Sequence, residues 1–172
     1  MLDFLKQKKT TTPAVVGDAL VQLAKLSEKE AAQALEFVKV VFDESRLKPE
    51  QFLAEVFLLQ VFAVYWTAFN MLADNPFRDE VFVQFHKSLN NLETLAEVPS
   101  EARGFWQSRV AAYSEVYEKE ASGMALVKLG KKFSEFCEEE CDAQLMMLAS
   151  VQFSGTAKGV AEFLGGIGIV AN

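Results

Sequence analysis

His86 is the chain's one histidine, and this limits the reactions that the sequence could support. A zinc site of the His-Glu-x-x-His type needs two histidines on one helix. A carboxylate-bridged di-metal bundle needs a Glu-x-x-His pair on each of two helices. The sequence contains neither set, so we expect no metal or other cofactor. We interpret His86 as a residue at the edge of an apolar helical stripe.

Cys137 and Cys141 could offer thiolate chemistry, because their spacing of four residues puts both thiols on one face of a predicted helix. Structural zinc sites usually take four ligands from Cys-x-x-Cys pairs, and the sequence has no second pair. The glutamates between the cysteines would raise a thiol pKa, which argues against a nucleophile. We therefore predict two reduced, replaceable cysteines in a cytoplasmic protein.

Arg109 and Glu140 are charged residues at positions where the helical pattern calls for apolar ones. Charges are seldom buried unless they are paired. We expect Arg109 to pair with Glu140, or to extend its guanidinium to the rim of the core. The alternative is that Arg109 holds a ligand carboxylate or phosphate inside an apolar pocket.

Aromatic residues would line such a pocket, and an apolar or amphipathic small molecule would be its ligand. The residues predicted to bind it are Arg109, Tyr113, Tyr65, Trp66 and Glu140. No catalytic residues are predicted, because the sequence offers no complete set of nucleophile, base and stabilising group.

The run from Val56 to Ala73 contains no charged residue and five aromatic ones, so it must be either a membrane span or the central helix of a core. Its eighteen residues barely reach the length of a span, and no basic clusters flank it. Its polar residues also fall in one arc of about 80° of a helix. We predict a central core helix at about 49–74.

Helix-start signals divide the rest of the chain. A capping residue followed by proline at Thr12-Pro13, a capping box at Ser27–Glu30 and prolines at positions 49, 76 and 99 each predict a start. A break at Ser122-Gly123 precedes one last long helix that carries both cysteines. The prediction is an all-α, single-domain bundle of about six helices, with no strands.

The predicted bundle domain covers residues 1–153, and residues 154–172 form a glycine-rich tail that docks on the bundle or frays. Five of the nine glycines lie in that tail. The segment Gly165–Gly168 is no phosphate loop, because it lacks the Gly-x-Gly-x-x-Gly order and a following helix.

The formal net charge is −7, from 17 basic and 24 acidic residues. Without a basic stripe, neither nucleic acid nor an anionic membrane is an expected partner. We therefore predict a non-enzymatic helical protein that binds another protein or a second copy of itself. The alternative function is that of a carrier for an apolar ligand in an aromatic-lined pocket.

Overall fold

The computed structural model describes residues 9–41, 48–93, 104–119, 124–137 and 142–171. Seven helices and two three-residue strands lie in these ranges, which confirms the predicted all-α bundle. In chain order they are β1 (Lys9–Thr11), α1 (Pro13–Ala24), α2 (Glu28–Val41), α3 (Pro49–Met71), α4 (Arg78–Glu93), α5 (Trp106–Glu118), α6 (Ala125–Phe136), α7 (Ala143–Gly165) and β2 (Ile167–Ile169).

Helix α3 is the central helix, as predicted, and it contacts α1, α2, α5, α6 and α7. By length and composition alone it could cross a membrane, but 72% of its most apolar window is buried inside this structure. Apolar residues on every side explain this position, because neighbouring helices can then exclude water all around it. Both of its ends reach water, since Pro49, Glu50 and Asn70 are exposed, while Gln60 in its middle is buried.

The predicted helix starts agree with the structure where the described residues allow a comparison. Thr12 occupies the N-cap position of α1 without a capping hydrogen bond from its side chain, and Pro13 is the first residue of the helix. Ser27 and Glu30 form the predicted capping box, in which the Glu30 amide donates to Ser27 Oγ at 3.2 Å and the Ser27 amide donates to Glu30 Oε2 at 2.8 Å. The start predicted at Pro99-Ser100 lies outside the described residues, and α5 is described from Trp106.

The prediction of one long last helix was wrong, because α6 ends at Phe136 and α7 begins at Ala143. Asp142 gives α7 its own start, since its carboxylate accepts hydrogen bonds from the amides of Gln144 and Leu145, both at 2.9 Å. Three consecutive glutamates also follow Cys137 in the sequence, and acids are unfavourable at a helix C-terminus. An acid-rich segment therefore separates two helices that share one apolar periodicity.

The boundary predicted at residue 154 falls inside α7, which continues to Gly165. Gly155 and Gly159 lie within this helix, and burial of Phe153, Val160 and Leu164 on its inner face offsets their low helix propensity. Beyond it, β2 pairs in parallel with β1, and no strand had been predicted there. Alternation over only three residues is too short to be read from a sequence.

Helices α6 and α7 approach closely at Gly130, which faces Met146. A Cβ built at Gly130 would lie 2.7 Å from the carbonyl oxygen and 2.9 Å from the Cα of Met146. One turn earlier in α6, Ser150 Oγ donates to the Leu126 carbonyl at 3.4 Å. The two helices therefore form an antiparallel hairpin whose close spacing depends on the absence of a side chain at Gly130.

Replacing Gly130 with alanine should lower the free energy of unfolding by about 1–3 kcal/mol, because the new methyl group must push two backbones apart. Chemical denaturation followed by circular dichroism measures this. The matched control is Gly155→Ala in the same hairpin, where a Cβ would meet nothing within 4 Å. That change should stabilise by about 0.5–1 kcal/mol through helix propensity. Equal effects of the two substitutions would contradict the close approach.

Candidate functional site

Arg109 on α5 forms a buried ion pair with Glu55 on α3. Arg109 Nη2 lies 2.6 Å from Glu55 Oε1, and Arg109 Nε donates to Oε2 at 3.0 Å and to Oε1 at 3.2 Å. Only 6% of the Glu55 side chain is exposed, against 23% for Arg109. Two parallel N–H···O bonds hold the planar guanidinium in one orientation.

The helices bring these groups together because α5 runs alongside α3 in the same direction. Glu55 meets Arg109 near the start of both helices, and Trp66 meets Tyr117 near their ends, with ring centroids 5.2 Å apart. Between them, Phe62 lies two turns after Glu55 on the same face of α3. One strip of α3 therefore carries the acid and the ring that contact α5.

Two aromatic rings complete the environment of the guanidinium. Arg109 Cζ lies 3.7 Å from the centroid of Phe136 and 6.0 Å from that of Phe105. A cation over a ring face gains about 0.5–2 kcal/mol, the larger values where water is excluded. Phe136 belongs to the last turn of α6, so Arg109 links three helices at one point.

Burial is the largest single influence on the pKa of each member of this pair, but it decides the direction of the shift only for Glu55. Burial raises the pKa of Glu55 above its ordinary value, although the hydrogen bonds and charge of Arg109 oppose that rise. For Arg109, burial works to lower the pKa, but the hydrogen bonds and charge of Glu55 outweigh it and leave the pKa raised. The difference follows from exposure, because Glu55 is the more deeply buried partner. Arg109 therefore supplies the hydrogen bonds and the charge that favour the ionised form of Glu55.

Tyr113 lies one turn after Arg109 and is fully buried. Its ring packs on Phe62 at 5.2 Å and on Phe136 at 5.5 Å between centroids. Its hydroxyl has no hydrogen-bond partner among the residues described. Burial, and next the charge of Glu55, raise the pKa of Tyr113 well above 10. This phenol stays neutral and acts in packing.

Tyr65 and Trp66, the other predicted ligand residues, point to different groups of rings. Tyr65 stacks on Phe69 at 5.9 Å and on His86 at 6.2 Å between centroids, beside α4. Trp66 packs on Phe62 at 5.9 Å, beside α5. The structure therefore brings Arg109 and Tyr113 together and links Trp66 to Tyr113 through the ring of Phe62, whereas Tyr65 belongs to a separate group of rings beside α4.

The remaining candidates are Glu140, the two cysteines and His86. Glu140 and Cys141 lie outside the described residues. Cys137 is buried at the end of α6. His86 is half-buried among aromatic rings, its centroid 5.2 Å from that of Trp106, and burial lowers its pKa. In the ranges that the structure describes, no group of three or more His, Cys, Asp or Glu residues could hold a metal ion.

An open cavity of about 320 Å³ lies outside the ion pair, between the start of α3 and the start of α5. Its lining residues are Lys48, Glu50, Gln51, Ala54, Glu55, Phe105 and Arg109. The lining mixes two positive and two negative side chains. Glu55 already accepts hydrogen bonds from Nε and Nη2 of the Arg109 guanidinium. This differs from the enclosed apolar pocket that a carrier would need.

Glu55 and Phe136 are the site residues that sequence reasoning missed. The sequence did contain a signal for Glu55, which is an acid directly before the uncharged run and in register with Phe62. The uncharged run begins at Val56, the next residue, so a search for residues without charge excludes Glu55. The ring of Phe136 gave no signal, because its contact with Arg109 depends on how α6 packs.

The site therefore defines an all-α bundle tied internally by a buried ion pair. No protein-family model matches the chain, and neither curated proteins nor solved structures give a significant match. The chain's function must accordingly be inferred from its own surfaces and contacts.

Replacing Arg109 with methionine should lower the free energy of unfolding at pH 7 by about 3–5 kcal/mol, because Glu55 is left buried without its partner. The double variant with Glu55→Met should recover most of this loss. Urea denaturation measures both. The control is Arg78→Met, which removes an ion pair with exposed Asp79 and a cation–π contact with Phe69, and its cost should stay below about 2 kcal/mol. Similar losses in both single variants would contradict a buried pair.

The loss caused by Arg109→Met should shrink at acid pH. A carboxyl whose pKa is raised in the folded state binds its proton more tightly when the protein is folded. Its contribution to stability is therefore greatest below its ordinary pKa. That contribution is lost as the pH rises through the folded-state pKa. Without Arg109 the pKa of Glu55 rises further. Denaturation at pH 4 and pH 7 should therefore show the smaller loss at pH 4. The same comparison in a Glu55→Gln background should show no such difference.

Proposed function

We propose that this chain is a non-enzymatic protein that acts by binding another protein chain, through the outer side of the α6–α7 hairpin. The observation that carries the proposal is an apolar surface made of Val127, Met147 and Val151, here called the α6–α7 surface. Met147 and Val151 are 61% and 63% exposed. Exposed apolar clusters on a folded domain are typical of interaction sites.

The geometry of the hairpin puts these three side chains on one side. Leu126 and Ser150 face each other across it, and Val127 and Val151 each follow one of them in sequence. Consecutive residues of an α-helix point 100° apart. Because α6 and α7 run in opposite directions, the residue after each facing position points to the same side of the hairpin. Met147 lies one turn before Val151 on the same face.

Charges at the border of this surface favour a second copy of the chain as the partner. Lys131 and Glu135 follow Val127 at one and two turns along α6. Lys158 and Glu162 lie on the exposed face of α7 beyond Val151. In a two-fold interface each patch meets itself, so a border that carries both signs can pair with its own copy.

The packing supports the non-enzymatic part of the proposal. Glu55 and Arg109 occupy each other's hydrogen-bonding groups, and His86 lies against rings with a lowered pKa. The alternative prediction, an apolar ligand beside Tyr65 and Trp66, gains no support, because both rings pack on other side chains. A carrier is therefore not proposed.

The double variant Met147→Asp with Val151→Asp should abolish self-association, because it places charges in the centre of the apolar surface. Sedimentation equilibrium should show the unmodified chain associating at micromolar to submillimolar concentration and the variant as a monomer. The matched control is Val83→Asp on α4, at a valine that is 69% exposed. It should associate like the unmodified chain.

Two results would contradict this proposal. One is an unmodified chain that stays monomeric throughout that range. The other is association that survives in the double variant. Circular dichroism and thermal unfolding of each variant should match those of the unmodified chain, since the changed side chains are exposed and surface substitutions usually alter stability by less than about 0.5 kcal/mol.

A further inference from the structure

The sulfur-bearing side chains among the described residues differ in their exposure to solvent. Cys137 is fully buried at the end of α6, and Met146 is partly buried in α7. Met71 and Met124 are exposed, and Met147 is the most exposed of the five, at 61%. A dissolved oxidant reacts with the sulfur atoms that it can reach. Met147 is therefore the described side chain whose sulfur is most open to oxidation.

Met147 also lies within the α6–α7 surface. Its neighbour Met146 faces Gly130 across the hairpin, so Met147 points about 100° away from that contact, toward the outside. The other two members of the surface are the valines at positions 127 and 151. Met147 is thus the longest and most flexible side chain of the surface, and it carries the surface's sulfur atom.

Oxidation by a hydroperoxide would make this side chain polar. A lone pair of Met147 Sδ attacks the terminal oxygen of the peroxide, so an S–O bond forms while the O–O bond breaks. The sulfur loses two electrons and the peroxide gains them. The proton on the transferred oxygen passes to the departing hydroxide or alkoxide, which leaves as water or an alcohol. The product is methionine sulfoxide, a polar group with an acceptor oxygen.

A sulfoxide oxygen is unfavourable in an apolar interface, because it loses its hydrogen bonds with water there. In a two-fold contact each patch meets itself, so both copies of Met147 enter the same interface. Oxidation of both copies would therefore bury two acceptors among the valines of the α6–α7 surface. The thioether, in contrast, packs readily on irregular apolar surfaces.

We propose that Met147 is a peroxide-sensitive modification site, and that its oxidation separates associated copies of the chain. This inference rests on the proposed self-association through the α6–α7 surface and adds a means of regulating it. The reaction takes place on the single chain, because association covers the sulfur. Each oxidised chain then remains single until a methionine sulfoxide reductase, supplied with a dithiol, restores the thioether.

Association should in turn protect Met147 from oxidation. The rate of oxidation at this sulfur depends on the fraction of single chains, and that fraction falls as the protein concentration rises. Met71 provides the comparison, because it is exposed at the end of α3 and lies outside the α6–α7 surface. Its rate of oxidation should not depend on the protein concentration.

The first test treats the full chain with excess hydrogen peroxide at the lowest and the highest concentration used for sedimentation equilibrium. Mass spectrometry of peptides then gives the rate of oxidation at each methionine. Met147 should be oxidised several-fold more slowly in the concentrated sample, and Met71 should be oxidised equally fast in both. Equal rates at Met147 in the two samples would overturn the inference.

The second test measures self-association before and after complete oxidation. Oxidation should weaken the association by about tenfold or more, given the cost of burying unpartnered acceptors. Treatment with methionine sulfoxide reductase should restore it. Circular dichroism of the oxidised chain should match that of the untreated chain. Loss of the helical signal would show that oxidation unfolds the protein, and it would overturn the inference.

The decisive variant is Met147→Leu, which keeps an apolar side chain of similar volume but has no sulfur. It should associate like the unmodified chain and should continue to do so after peroxide treatment. The matched controls are Met71→Leu and Met124→Leu, which remove the other two exposed sulfurs. Both control variants should remain as sensitive to peroxide as the unmodified chain.

The results distinguish failure of this inference from failure of the proposed function. An unmodified chain that never associates would overturn both. Association that survives conversion of Met147 to the sulfoxide would overturn this inference alone. The same holds if peroxide still separates the Met147→Leu chains, because another residue would then be responsible.

Discussion

Burial of α3 on nearly all sides is the constraint on which the rest of this fold depends. A helix without a polar face cannot lie on the surface of a bundle, so its neighbours must surround it. Five helices pack along it, aromatic rings of α4 contact it at Tyr65 and Phe69, and its side chains supply much of the described core. Glu55 is the one buried acid among the described residues, and its burial would be costly without a partner. Its position opposite Arg109 decides where α5 lies on α3.

The predictability of the fold differed between the ends of helices and their middles. Pro13 and the capping box at Ser27 predicted their helix starts because both act locally, Pro13 through its fixed φ angle and the capping box through hydrogen bonds between neighbouring residues. The apolar periodicity of α6 and α7 did not reveal that they are two helices. At Gly155 the sequence predicted the start of a tail, but α7 continues through this residue. The packing of Phe153 and Val160 outweighs the low helix propensity of glycine there.

The candidate site was predictable in its chemistry more than in its geometry. An arginine in an apolar stripe indicated an internal acid, and the structure provides Glu55 in that role. Periodicity could not show which acid pairs with Arg109, because the pairing depends on α5 lying parallel to α3 across an intervening helix. The predicted aromatic pocket divides into separate groups of rings for a related reason. Tyr65 and Trp66 are neighbours in sequence, so they point about 100° apart on the helix.

The parallel pairing of β1 with β2 has a consequence for the order in which the chain folds. The Val170 amide donates to the Thr11 carbonyl at 2.9 Å, so the contact joins residues from the two ends of the described chain. Closing so long a loop for a few hydrogen bonds is entropically unfavourable in an open chain. Docking of α1 and α7 on α3 removes most of that cost beforehand. The strands can therefore pair only after the helices have assembled, and they open first when the bundle loosens.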